Sequence, residues 1–136
     1  MKNRREFLTV SLASLTAIAA RVPETMDGAG IKTISRYDLP PVGLSGWQAS
    51  VRELTFPPGY ISPKHTHPGF VIGYVLEGKF RFHIEGEPET LLSTGDTFYE
   101  APGAIHLPSS SASATKPAKV LVVAFGEKGK KLTKLL

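Results

Sequence analysis

Residues 57–78, PPGYISPKHTHPGFVIGYVLEG, place a pair of histidines directly before an apolar run. His65 and His67 are two residues apart, so on an extended segment both imidazoles point to the same side. Phe70 to Leu76 is short, branched and aromatic, and turn residues bound it, which is typical of a buried strand. A lone His-x-His pair is weak evidence for a metal site, because two ordinary surface histidines give the same pattern. Other parts of the sequence are needed to distinguish a metal site from two surface histidines.

Composition limits the choices. The 136 residues are enough for one domain with a hydrophobic core and too few for two. Hydrophobic residues make up 41% and charged residues 21%, as in ordinary folded soluble proteins. Cysteine is absent, which excludes disulfides, thiolate metal sites and a cysteine nucleophile. Any metal must therefore be held by His, Asp, Glu or water.

The net charge of +4 lies at the two ends of the chain. Residues 1–20 carry +2 and the segment EKGKKLTK, residues 127–134, carries +3, which leaves the remainder near −1. No basic stripe with interleaved aromatic residues crosses the body of the chain, so we expect no nucleic-acid partner. The lysines near the end predict a short, solvated basic tail.

The first twenty residues have the pattern of a signal peptide. A basic start precedes an apolar, small-residue-rich run that is too short to span a bilayer stably, and Ala17 and Ala19 suit signal peptidase. NRREFL resembles the twin-arginine export signal, with Arg4-Arg5 followed by Phe7 and Leu8. The alternative is an amphipathic helix that packs on the domain.

This interpretation divides the chain into three segments. We predict a signal peptide at residues 1–20, a flexible linker at 21–30, and a single domain with a short basic tail at 31–136. The signal implies bacterial export to the periplasm or beyond, with no stable membrane insertion of the mature domain. Twin-arginine export carries folded proteins, which favours a protein loaded with a metal or another bound group.

From residue 31 onward the chain alternates short branched and aromatic runs with Pro- and Gly-rich turns, and no helical period persists. The pattern predicts an all-β sandwich or barrel. For the final residues, LTKLL, we predict at most one helical turn. The predicted strands are 31–37, 46–56, 70–76, 79–85, 90–92, 97–101 and 119–125.

A third histidine strengthens the metal hypothesis. His106 ends a second turn-rich segment, GDTFYEAPGAIH, residues 95–106. If the two segments lie on neighbouring strands, three imidazoles converge and leave positions open for water, dioxygen or substrate. His83 alternates with the apolar residues of its strand, which favours a solvent- or dimer-facing histidine over a ligand.

The two segments together resemble the two sequence motifs of the cupin superfamily. The resemblance covers residues 45 to 125, and it is specific because both motifs occur at the expected separations. The matching positions are Gly59, His65, His67 and Gly78 in the first motif, and Gly95, Asp96, Pro102, Gly103 and His106 in the second.

The resemblance implies a double-stranded β-helix, or jelly-roll barrel, that is frequently a homodimer. It also implies a divalent ion (Fe, Mn, Zn or Ni) held by His65, His67 and His106. The family's glutamate ligand maps onto Val71, which cannot coordinate an ion. A centre of three neutral imidazoles would keep the full +2 charge and attract anionic ligands. The alternative is that metal binding is weakened or lost.

Glu100 and Tyr74 are the candidate catalytic residues. Glu100 precedes the second turn and would enter the pocket as acid, base or extra ligand, or else cap a strand end in water. Tyr74 would offer a hydroxyl to a ligand, or else point outward.

The sequence therefore predicts an exported metalloenzyme with dioxygenase, isomerase or lyase chemistry on a small organic molecule. The alternatives are a non-catalytic cupin module that binds a small ligand or metal, and a structural dimer without a site.

Overall fold

The structure is a computed structural model that describes residues 25–26, 29–30 and 37–136. The predicted signal peptide at 1–20 lies outside these residues. The chain divides into two units between Thr33 and Ile34, close to the predicted domain start at residue 31. In the first unit, β1 (Thr25–Met26) pairs antiparallel with β2 (Ala29–Gly30), inside the segment predicted as a flexible linker.

The second unit is built from strands joined by turns, and the described residues contain no helix. Accordingly, nothing in the described part of the chain is a helix of the length and apolarity that crossing a membrane requires. The strands are β3 (Trp47–Phe56), β4 (His65–Thr66), β5 (Phe70–Glu77), β6 (Lys79–Phe82), β7 (Thr90–Ser93), β8 (Thr97–Glu100), β9 (Ile105–His106), β10 (Ser110–Ser111), β11 (Ala118–Glu127) and β12 (Lys134–Leu135).

The strands form one four-stranded and two three-stranded sheets, all with antiparallel pairing. The four-stranded sheet has the order β3-β11-β5-β8, and the smaller sheets have the orders β10-β6-β7 and β12-β4-β9. A bridge between Ile84 and His106 joins the chain after β6 to β9 and so links the two small sheets. Strands distant in sequence are neighbours, as a jelly roll requires, and the predicted all-β fold is confirmed.

The core lies between the four-stranded sheet and the sheet of β6. On β5, Val71, Gly73 and Val75 are buried, while Ile72 and Tyr74 are partly exposed, which is the alternation of a strand with one buried face. Strand β11 alternates in the same way. Both sheets supply an aromatic cluster, with Phe56 and Phe98 from the four-stranded sheet and Phe80 and Phe82 from β6. The ring centroids are 4.8 Å apart for Phe56–Phe80, 5.7 Å for Phe80–Phe98 and 4.7 Å for Phe82–Phe98.

Six of the seven predicted strands fall on observed strands, although the one predicted at 79–85 ends at Phe82. The strand predicted at 31–37 has only Tyr37 among the described residues, and its ring stacks on Tyr99 at 5.4 Å. The expectation for LTKLL was wrong, because Lys134 and Leu135 form β12 and pair with β4. Four two-residue strands (β4, β9, β10 and β12) were not predicted, since two residues are too short to show a period.

Gly73 gives a test of the core packing. A Cβ at this position would overlap the ring of its cross-strand partner Phe98. We expect Gly73→Ala to lower the free energy of unfolding by about 1–3 kcal/mol, because the overpacked ring has to leave its place in the core. Urea denaturation measures this. The matched control is Gly43→Ala, where a Cβ meets no heavy atom within 4 Å. Equal denaturation midpoints for the two variants would contradict the packing described here.

Candidate metal centre

The three histidines predicted as ligands converge across one small sheet. His65 on β4 is the register partner of His106 on β9, and His67 follows one residue after β4. The ring centroids of His65 lie 4.9 Å from His67 and 4.7 Å from His106. The second motif also holds the first in place, because the Gly103 amide donates a hydrogen bond to the His67 carbonyl oxygen at 2.9 Å.

A carboxylate completes the group from a strand that the family pattern does not use. Glu100, the last residue of β8, is the cross-strand partner of Val71 on β5. Its Oε2 lies 3.2 Å from Nε2 of His67 and 3.3 Å from Nδ1 of His106. Its side chain is buried, with the whole residue 4% exposed, so it does not cap a strand end in water. The carboxylate missing at residue 71 is thus present one strand away.

Backbone carbonyls fix which nitrogen of two imidazoles faces the centre. Nδ1 of His65 lies 2.9 Å from the Pro63 carbonyl oxygen, and Nδ1 of His67 lies 2.7 Å from that of Leu132. A carbonyl only accepts hydrogen bonds, so both Nδ1 atoms carry hydrogen. In the neutral rings the lone pairs are therefore on Nε2, which is how outer partners orient histidine ligands of metals.

His106 is oriented the opposite way. Its Nε2 lies 2.7 Å from the hydroxyl oxygen of Ser109, which is fully buried, and its Nδ1 lies 3.2 Å from Nε2 of His65. A serine hydroxyl both donates and accepts; when it donates to the Leu107 carbonyl oxygen at 3.4 Å, it accepts from Nε2–H of His106, and Nδ1 then presents its lone pair.

The arrangement fits a cation. One donor atom each from His65, His67 and Glu100 lie within 4.8 Å of one another, and His106 Nδ1 adjoins two of these residues. Within the described part of the chain, Glu100 Oε2 is buried without a hydrogen-bond partner, since neither histidine contact has hydrogen-bond geometry. Acceptors facing each other across a buried space need a positive charge between them, either a metal ion or a proton. Imidazole and carboxylate ligands suit Fe, Mn, Zn and Ni.

The pKa values in the centre also indicate that a positive charge is favoured beside Glu100. Burial alone would raise the pKa of Glu100, but the neighbouring His106 and His67 outweigh it and lower this pKa to about 2. Burial would lower the pKa of His67, yet its contact with Glu100 and its hydrogen bond to Leu132 raise it above 6.5. The pKa of His65 is lowered, and burial is the largest cause. These directions of the pKa shifts favour an ionised Glu100 beside His67.

The centre opens into a cavity of about 580 Å³ between the sheets. Its walls are mainly apolar, and the polar groups converge at the metal centre. The lining includes Val71, Phe80, Phe98 and Val120 as apolar walls, with Arg52, Glu53 and Tyr60 as further polar side chains. Such a cavity has the size and character of a site for a small molecule.

Tyr74 and His83 lie away from this centre. Tyr74 is on the outer face of β5, with its hydroxyl beside Gly95, and the cavity lining does not include it. The alternation of β5 thus turns it outward, in agreement with the alternative that Tyr74 points away from the cavity. Nε2 of His83 lies 2.8 Å from the Glu87 carbonyl oxygen, at the surface, which agrees with the solvent-facing alternative.

Sequence reasoning missed three residues that orient the ligands, namely Pro63, Ser109 and Leu132. Two of them act through backbone carbonyls, which leave no signal in a side-chain pattern. Ser109 follows His106 by three residues and was the one available clue, since a nearby hydroxyl is a common partner of a ligand imidazole.

The centre predicts a pH window in the metal-free protein. The depressed pKa of Glu100 stabilises the fold above pH 4.5 and is lost as pH falls towards 2. The raised pKa of His67 stabilises the fold below pH 6.5 and is lost as pH rises through its folded value. We expect Glu100→Gln to lower the free energy of unfolding most between pH 4.5 and pH 6.5. Urea denaturation in the presence of a chelator measures this loss.

The matched control is Glu89→Gln, which removes an exposed carboxylate paired with Arg81 at 2.8 Å. Its effect on unfolding should be small, as for other exposed ion pairs. A destabilisation by Glu100→Gln that stays constant from pH 4 to pH 9 would refute the proton placement.

Several solved structures resemble the fold. DMSP lyase DddQ from Ruegeria pomeroyi is 25% identical with a TM-score of 0.56, over 64% of this chain and 42% of that one. A cupin-like protein from Thermotoga maritima is 22% identical with a TM-score of 0.55, over 65% and 64%. A Klebsiella pneumoniae protein with a double-stranded β-helix domain is 25% identical with a TM-score of 0.52, over 64% and 73%. This chain therefore spans less than half of the lyase and less than two thirds of the Thermotoga protein.

No curated protein matches the chain significantly. The Cupin domain family matches residues 52–124, which is more than half of the chain and contains the three histidines and Glu100. The order of the sheets and the similar structures agree with that match. The chain therefore belongs to the cupin family, and its domain is a double-stranded β-helix.

Proposed function

We propose that this protein is a metal-dependent enzyme that acts on a small organic molecule, with the ion held by His65, His67, His106 and Glu100. The observation that carries the proposal is the buried, unpartnered Oε2 of Glu100 among imidazole nitrogens whose other ring atoms are tied to outer partners. Holding four acceptors together costs stability unless a cation joins them. The cost is explained if the cation is functional.

Glu100 changes the charge expected for the centre. Three neutral imidazoles would leave a divalent ion its full charge, whereas the carboxylate cancels one unit. When bound, such an ion supplies Lewis-acid polarisation and a lowered pKa of bound water. The protein's own contribution is to orient three rings through Pro63, Leu132 and Ser109 and to keep the carboxylate ionised.

The charge of the cavity favours a small organic anion as substrate. Arg52 lines the cavity and lies close enough to His67 to disfavour its protonated form. With a divalent ion bound, the formal charge of the lining stays positive even when Glu53 and Glu100 are both counted. An anion with an apolar part would place its charge near the ion and its hydrocarbon against Val71, Phe80 and Phe98.

Among dioxygenase, isomerase and lyase chemistry, we favour the lyase type. The Ruegeria pomeroyi structure, 25% identical to this chain, is a DMSP lyase and supports this choice. Polarisation of an anionic substrate by a metal is the step that such elimination chemistry needs.

Metal analysis tests the centre directly. Protein purified from the periplasm should hold about one equivalent of a transition metal, and His65→Ala should hold less than about a tenth, because a missing ligand opens the site. His83→Ala removes a histidine outside the centre and should retain the metal. Equal metal content in all three proteins would refute the site. Metal without turnover of any small organic acid in a panel would indicate the non-catalytic binding module instead.

Exchange of the carboxylate between strands tests the role of Glu100. Glu100→Val should weaken metal binding by about 10-fold or more, since it removes an anionic ligand. The double variant Val71→Glu/Glu100→Val returns the carboxylate to the family's position and should recover most of that loss. Zinc affinity by competition with a chelating dye measures both. Unchanged affinity in Glu100→Val would show that the carboxylate does not bind the ion.

Export and dimerisation remain proposals. Export to the periplasm or beyond is supported by NRREFL and the apolar run after it. A homodimer is supported by β3, which lies at the edge of the four-stranded sheet and exposes most of its side chains, Val51 among them. A long exposed edge strand is a surface that proteins usually cover.

A further inference from the structure

The lysine-rich segment at residues 127–136, here called the C-terminal strap, lies against the metal centre. It turns back after β11 through a hydrogen bond from the Lys130 amide to the Glu127 carbonyl, and Gly129 takes a φ of 77° in that turn. Its Thr133 and Leu135 line the cavity. The segment thus packs on the domain through residues other than its lysines, all four of which are exposed.

The strap completes the sheet that carries two of the histidines. In β12, Lys134 pairs with Thr66 and Leu135 pairs with His65, while the Leu136 amide donates to the Lys64 carbonyl at 3.1 Å. Because β4 has only two residues and lies between β9 and β12, half of its pairing comes from the strap. Without β12, the strand carrying His65 would be an edge strand of two residues.

The strap also touches His67 directly. The Leu132 carbonyl accepts the hydrogen bond from Nδ1 at 2.7 Å, and the Thr133 hydroxyl lies 3.3 Å from the same nitrogen. The Leu132 side chain packs against the hydrophobic core and anchors this carbonyl. Gly126 makes room for it, because a Cβ there would lie 2.6 Å from Cδ2 of Leu132.

We propose that the C-terminal strap is a positioning element for the metal centre: Leu132, anchored over Gly126, holds His67 with its Nε2 towards the ion. Docking of the strap and binding of the metal are then linked. By thermodynamic reciprocity, the factor by which a docked strap raises metal affinity equals the factor by which bound metal favours docking. The linkage rests on the proposed metal site, whereas the orientation of His67 does not.

Two variants and one control test this. Gly126→Ala places a Cβ 2.6 Å from Cδ2 of Leu132, so that the end of this side chain has to shift, and a chain ending at Lys131 removes Leu132 and β12 altogether. Gly43→Ala is the matched control, since its Cβ meets no heavy atom within 4 Å. The measurements are Co(II) affinity, the visible Co(II) spectrum, and the ring nitrogen chemical shifts of His67 in metal-free protein at alkaline pH, where the ring is neutral.

We expect the chain ending at Lys131 to bind Co(II) about 10- to 100-fold more weakly than wild type, as for other losses of an outer partner of a ligand histidine. Gly126→Ala should lose less, because only the end of the Leu132 side chain has to move. Their Co(II) spectra should change, which a merely looser fold would not cause. Gly126→Ala/Leu132→Val, which removes the clashing Cδ2, should recover part of the affinity. Co(II) should slow tryptic cleavage after Lys130 and Lys131 in wild type, and less so in Gly126→Ala.

The proposal is overturned if both variants keep the Co(II) affinity and spectrum of wild type, or if neutral His67 in wild type carries its proton on Nε2. If wild type binds no Co(II) at all, the proposed metal function fails instead. The ring shifts then still decide the positioning role: an Nδ1–H ring in wild type that becomes a mixture of tautomers in the chain ending at Lys131 supports it, and no change overturns it.

Discussion

Pairing of the two-residue strand β4 between β9 and β12 is the constraint on which the centre depends. It sets His65 opposite His106 and carries the chain into His67, so three imidazoles meet without any of them belonging to a long strand. So short a strand has little stability of its own. The large sheet, in which β5 and β11 bury every second residue, is the rigid part of the domain, and the centre lies at its margin.

The second constraint is the register of β5 against β8. Because Val71 faces Glu100 across the pair, a carboxylate on either strand reaches the same region of the cavity. The position of a ligand in sequence and its position in space are therefore separable in this fold. A cupin without the family glutamate can keep a carboxylate in its centre, provided that the neighbouring strand supplies it.

The sequence predicted much of the fold and part of the site, for identifiable reasons. A strand such as β5 is a short apolar run between turn residues, and the spacing of His65, His67 and His106 is a side-chain pattern. The position of Glu100 depends on strand register, which no local pattern encodes, so the sequence left its role open. The Leu132 carbonyl is backbone and carries no residue preference. The sequence left the direction of Tyr74 open because aromatic residues suit either face of a strand.

The contact between Glu100 and His67 has a consequence for how the protein would acquire an ion. Glu100 raises the pKa of His67, so a proton on His67 would compensate the buried carboxylate in the metal-free centre. A divalent ion held there would have to displace such a proton, and loading would be an exchange of one cation for another. Acidic surroundings oppose the exchange and neutral ones favour it. The side chains proposed to hold the ion would thereby make its retention depend on the acidity of the compartment in which the protein works.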